Sequence, residues 1–192
     1  MSILFLSCYT PRYVYSPPAQ NVATLTQKGD SRLAILYSTN AGSNNEIVEI
    51  GKATSNGLDV HSAYAISNHV ITQFNFFYRN EQNSNRDNSN SLPELIRYKR
   101  NLAEMALGYF TPVNAGQKSF FYLMGSTGLG NFRFKDYDVN GNSVSPKYFH
   151  EASIFKLSIQ PALLFKLRKQ FSIAFASKIS FIDYRNIKTN YN

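Results

Sequence analysis

Between Phe171 and Phe181 the chain alternates in character from one residue to the next. Phe171, Ile173, Phe175, Ile179 and Phe181 occupy one parity, and Ser172, Ala174, Ala176, Lys178 and Ser180 the other. Successive Cβ atoms of an extended chain point to opposite faces, so a period of two predicts a β-strand with one apolar and one polar face. Just upstream, Phe155, Leu157 and Ile159 alternate with Lys156, Ser158 and Gln160, and only Arg168-Lys169-Gln170 separates the two runs, which read as a hairpin. The same pattern places strands near 32–39, 57–66, 69–79, 98–110, 118–134, 149–166 and 170–184, an all-β chain. In the third, Thr72, Phe74, Phe76 and Tyr78 face one way and Gln73, Asn75 and Arg79 the other, with Ile71 and Phe77 interrupting the polar side. A helix is the alternative over 94–107, where Leu95, Leu102 and Met105 approach helical spacing.

The connections sharpen the architecture. About 17 residues join the first two strands; a tight turn at Ser67-Asn68, a polar run at 80–97, a short turn from Pro112 to Gln117, a long stretch at 135–148 and a short turn at Arg168-Lys169 follow. Long and short connections alternate, as in an antiparallel up-and-down transmembrane β-barrel with short periplasmic turns and long external loops. Greek-key sandwiches have no reason to sort their loops in this way. Such a barrel takes an even number of strands, so about eight are expected with seven present, the C-terminal one missing from this sequence and the tail 185–192 opening a further loop. Pro161 lies inside a strand and has no N–H to give, which predicts a bulge.

Composition narrows the class. No run of the 192 residues approaches the 18 apolar positions of a spanning helix. Fifteen Phe and 13 Tyr suit pleated surfaces, and Tyr suits a membrane interface. The formal charge of +8 raises nucleic acid as a partner, but the Lys and Arg residues are scattered and no nucleic-acid motif appears, so none is expected. A single cysteine, Cys8, excludes an internal disulfide and a cysteine-based zinc cluster. Residues 1–8 resemble the remnant of a lipoprotein-type signal with Cys8 as the lipidation site, although Phe5 stands where leucine is usual; a short buried strand with a free thiol is the alternative. Residues 9–31, with Pro11, Pro17 and Pro18, read as an extended tether, and 32–192 as the barrel.

Cys8-Tyr9-Thr10-Pro11, Gly57-Leu58-Asp59-Val60 leading into Ala63-Tyr64-Ala65-Ile66-Ser67-Asn68-His69, Gly108-Tyr109-Phe110 and Leu157-Ser158-Ile159-Gln160-Pro161 together resemble small outer-membrane β-barrel proteins of the Bacteroidota type. The resemblance implies the outer membrane of a Gram-negative bacterium, with a periplasmic N-terminus, and a barrel of about eight to ten strands.

In lipid the outward parity must be apolar. Phe74, Phe76, Met105, Leu107, Leu157, Ile159, Ile173, Phe175 and Ile179 are therefore expected to face lipid, and Gln73, Asn75, Glu104, Lys156, Ser158, Gln160 and Lys178 the lumen. Turning either lysine to lipid at the midplane would cost about 2–4 kcal/mol. An eight-stranded lumen is filled by side chains, so Glu104, Lys156 and Lys178, with Gln73 and Gln160, are expected to form an internal polar network instead of lining a pore.

Little else carries chemistry. Asp136, Asp138 and Asn140, followed by Gly141, match the first half of a calcium loop, but Lys147 stands where a bidentate Glu belongs; an external loop is the simpler expectation and no metal is assigned. Gly125-Ser126-Thr127-Gly128-Leu129-Gly130 lacks the Gly-Lys-Ser/Thr ending of a phosphate loop, and its glycines are expected to let the strand bend or side chains pack. His61, His69 and His150 show no metal spacing. The expected function is a non-enzymatic outer-membrane barrel, without cofactor, in contact with outer-membrane lipids and with a structural or binding role through its long external loops. The alternatives are a soluble lipocalin-like barrel carrying a small apolar ligand, and a barrel enzyme acting on lipid or peptide with His150 and Asp136 or Asp138 at its rim.

Overall fold

The computed structural model describes residues 22, 24–40, 53–85, 94–140, 143–168 and 171–190, so Cys8, the lipoprotein-like segment and most of the tether lie outside the described residues. The chain is all-β. Eight strands follow one another: β1 (Ser31–Asn40), β2 (Ala53–Ala65), β3 (Val70–Asn85), β4 (Glu94–Pro112), β5 (Ser119–Asn140), β6 (Ser143–Arg168), β7 (Phe171–Ala176) and β8 (Ile179–Thr189). Each pairs antiparallel with its predecessor in an up-and-down sheet curled into a half-barrel, except that β7 and β8 both pair with β6. The stretch 94–107, for which a helix was the alternative, is strand β4.

Eight strands stand where seven are expected because Pro161 interrupts a ladder. Ala162 pairs with Ala176 and Ile159 with Ile179, so one register runs through both halves of what is otherwise a single strand from Phe171 to Thr189. At the break the Ser177 N–H donates to the Pro161 carbonyl at 3.2 Å. The reciprocal bond of this pair cannot form, since proline has no N–H. The expected bulge is absent: Pro161 pairs with Leu123 of β5 in unbroken register, and the β5–β6 shift lies between Asp136 and Tyr137. A missing hydrogen bond interrupts the strand without an extra residue.

The strands also outrun the apolar pattern that predicts them. Residues 80–85 and 94–97, expected in a loop, extend β3 and β4, and Asn85 pairs with Glu94. The long loop expected over 135–148 is mostly strand, with Val139 opposite Val144 and Asn140 opposite Ser143. Strict alternation of long and short connections therefore fails at β5–β6. Antiparallel pairing satisfies the backbone of polar residues as well as apolar ones, so a ladder does not stop where hydrophobicity does.

The inner face has three tiers. Near the short turns Ala63, Ala65, Ile71, Ala106, Phe110, Phe120, Tyr122, Met124, Ala162 and Leu164 form one apolar cluster; toward the opposite end Phe77, Leu102, Phe132, Phe134 and Ile154 form a second. Ile71 and Phe77, which interrupt the polar parity of β3, belong one to each. Between them lies a polar tier.

The end of the expected tether is part of this packing. Leu25 is buried in the first cluster, its carbonyl accepting the Tyr122 hydroxyl at 2.7 Å, and Lys166 Nζ donates to Thr26 Oγ1 at 2.9 Å. The Asp30 carboxylate accepts the Thr26 and Gln27 amides at 2.8 and 3.1 Å, and Gly29 N–H donates to the Ala65 carbonyl. Gly29 has φ of +86°, a left-handed conformation that glycine adopts at no steric cost. These contacts fold 24–30 back over the mouth of the half-barrel at its short-turn end.

Candidate functional site: a buried polar tier behind an apolar wall

One register row crosses the inner face through His61, Asn75, Glu104, Gly128 and Lys156. Glu104 is fully buried. Its carboxylate lies 3.0 Å from Lys156 Nζ, with the two side chains 2 and 3 % exposed, and 3.1 Å from Lys178 Nζ. Two lysines thus converge on one carboxylate in the middle of the inner face. Lys178 reaches it from the edge strand, immediately before β8, at the interruption opposite Pro161.

Around this centre the tier continues. The Asn75 side-chain oxygen lies 2.9 Å from His61 Nδ1 and accepts from Gln73 Nε2 at 3.1 Å. Arg79 and Asp59 form a two-pronged ion pair at 2.9 and 2.8 Å, and the guanidinium stacks 4.7 Å above the Phe77 ring. Arg100 pairs with Glu81. Burial of unpaired charge is costly, and pairing each ion with a directed partner is what makes such an interior tenable.

The structure brings Glu104, Lys156 and Lys178 together. It places Gln73 with Asn75 and His61, apart from the lysines, and Gln160 buried on the same face. His61 and the Asp59–Arg79 pair are members that the sequence reading leaves out. Their signal lies in the same alternation: Asp59 and His61 have the opposite parity to Leu58 and Val60, and Arg79 to Tyr78.

The other face is an apolar wall. Phe74, Met105, Leu107, Leu157, Ile159, Ile173, Phe175 and Ile179 are exposed on it, and Phe76 is half-buried. Leu129, Phe181 and Leu33 extend it, each about two-thirds exposed.

The remaining candidates lie within strands or at a turn of the same sheet. Asp136 is buried on the inner face and lies within strand β5, as do positions 138 and 140, whose side chains lie outside the described residues. A calcium loop needs these oxygens to converge around a turn. His150 is the eighth residue of β6, not at its start, with its ring 6.1 Å from that of Phe132. His69 packs on Tyr109 and bonds the Phe110 carbonyl. Among the described residues no group of three or more metal-ligating side chains occurs and no helix is long and apolar enough to cross a membrane. Comparison with protein-family models, with characterised proteins and with solved structures finds no match.

Proposed function

We propose that this chain forms the wall of a transmembrane β-barrel in the outer membrane of a Gram-negative bacterium, of the Bacteroidota type that its sequence resembles, with a structural or binding role and no catalytic one. The observation that carries this reading is the polarity of the sheet: a charged tier is buried inside between two apolar clusters, and large apolar side chains are exposed outside. A water-soluble barrel needs a polar outer face, and a lipocalin-like carrier an apolar cavity at its centre. Here the centre of the interior is Glu104, Lys156 and Lys178. An apolar solvent outside turns this apparent inversion into the stable arrangement.

The dimensions support the reading. From Phe171 to Phe181 the outward positions span ten residue steps, roughly 34 Å of strand. At the tilt of about 40° usual for outer-membrane barrels, this covers about 26 Å of depth, close to the apolar band of such proteins. Tyr37 and Tyr78 flank the band on one side, and Tyr64 and Tyr109 on the other, as interfacial aromatics would.

Closure sets a further requirement. Among the described residues β1 pairs only with β2, and β7 and β8 only with β6. The first and last strands run in the same direction, so an all-antiparallel barrel takes an odd number of additional strands between them. On this reading residues 24–30 face the periplasm, the partners are membrane lipids, and the connections at the far end are where a surface ligand would meet the protein. Extraction that requires detergent, with gel migration that changes on heating, is the expected behaviour. Recovery as a monomer after lysis without detergent contradicts the proposal.

A further inference from the structure

Two depressions lie on the outer face of the same four strands. The first is a trough of about 840 Å³ walled by Met105 and Leu107 of β4, Leu157 and Ile159 of β6, and Ile179 and Phe181 of β8. Its floor includes Gly125, where an added Cβ would meet nothing within 4 Å. The second, of about 470 Å³, lies toward the far end of these strands and is polar, with Lys99, Arg133, Glu151, Asn186 and Lys188 around Asn101, Asn131 and Ser153. From Thr127 to Asn131 and Arg133 is four to six residues, roughly 14–20 Å along the strand. That is about half the thickness of a bilayer's hydrocarbon core.

The pocket has surplus positive charge. Glu151 is engaged by Arg133 at 2.7 Å and lies 3.9 Å from Lys135. Lys99 and Lys188 have no carboxylate within ion-pair distance among the described residues. Asn101 Oδ1 accepts the Asn131 N–H, and Asn131 Oδ1 accepts the Ser153 hydroxyl, which leaves the amide Nδ2 groups of both asparagines as donors. The edge strand is shaped around the pocket. One extra residue of β8 lies between the Ser153–Arg185 and Glu151–Lys188 pairs, and Asn186 has φ of +52°. This bulge re-aims the strand so that Lys188 stands opposite Glu151.

We propose that the two depressions form one site for a phosphate-bearing membrane lipid: the phosphate is held by Lys99, Lys188 and Arg133 with the asparagine amides, and an acyl chain lies in the trough over Gly125. The site rests on the membrane reading above, because the trough opens where that reading puts hydrocarbon. Charge complementarity selects the headgroup, and the apolar trough on the same face distinguishes a lipid from a free phosphate.

The test uses the whole chain folded in detergent, with native mass spectrometry counting retained phosphatidic acid or diacylglycerol of equal chains, which lacks the phosphate, and inorganic phosphate as competitor. The unaltered protein is expected to retain phosphatidic acid at least tenfold better. Lys99→Ala with Lys188→Ala is expected to remove most of that preference, about fivefold for each lysine. Gly125→Leu, which fills the trough, is expected to weaken both lipids. Equal retention of the two lipids, a preference unchanged in the double variant, or inorganic phosphate binding as tightly as phosphatidic acid would each overturn the lipid site. A protein that embeds in bilayers yet shows no phosphate preference refutes this site alone; one that does not embed refutes the membrane reading and the site with it.

Discussion

Gly128 stands directly across the β4–β5 ladder from Glu104, and a methyl group built on it would lie 2.8 Å from the Glu104 Cγ. Gly57 stands in the same relation to Arg79, whose side chain crosses the space a Cβ would take on its way to Asp59. Each glycine vacates the place that a charged neighbour needs. Gly128→Val is therefore expected to lower stability by about 1–3 kcal/mol, the usual cost of overfilling a packed interior. Gly125→Ala, on the outer face of the same strand with open space around it, is expected to be near neutral. Urea unfolding of both variants in the same detergent makes the comparison.

Glu104→Gln removes the carboxylate that compensates Lys156 and Lys178. Breaking a buried pair from one side typically costs about 3–5 kcal/mol, because the opposite charge remains in place. The expected result is a large drop in the unfolding midpoint. Simultaneous Glu104→Leu, Lys156→Met and Lys178→Met is expected to recover most of it, since replacing buried ions with apolar groups of similar volume removes their desolvation cost. Failure of the triple variant to recover would mean that the charges organise the fold and do not merely occupy it.

The folded-back segment gives a pH dependence. Burial pushes the Asp30 carboxyl upward, but the amides of Thr26 and Gln27 and the side chains of both outweigh it and hold the group below its ordinary value of 3.8. A carboxyl depressed on folding contributes stability that is fully present above its unfolded value and lost as pH falls through the lower folded one. Residues 24–30 are therefore expected to stay protected at pH 5 and to open as the pH falls below about 3.8. Hydrogen exchange of the Thr26 and Gln27 amides checks this. Asp30→Asn should flatten the dependence.

Alternation makes the side of each residue legible where a strand separates two solvents, and Lys156 between Phe155 and Leu157 is the plainest case. It does not mark where strands end. The stretch 80–85 has no apolar face to read, and in 135–140 only Tyr137 and Val139 mark one between polar neighbours; both stretches pair because backbone bonds need partners whatever the side chains. A local signal for the short β5–β6 connection is present in Gly141-Asn142, a two-residue hairpin composition overshadowed by the calcium-like Asp136, Asp138 and Asn140. Leu25 shows a different limit. One leucine in a polar stretch has no period, and its burial depends on Tyr122, 97 residues away. At Pro161 the consequence of a missing N–H is legible, but whether the sheet responds with a bulge or a gap is decided by the register of the strand beside it.

The chain contains no tryptophan, so a single introduced indole reports its own surroundings. Phe175→Trp and Leu129→Trp stand on the outer face, at positions 63 and 68 % exposed. In protein reconstituted into bilayers, the account predicts blue-shifted emission from both, quenched by lipids brominated on their acyl chains and insensitive to aqueous iodide. Red-shifted emission quenched by iodide and untouched by brominated lipid would place these side chains in water and contradict the account.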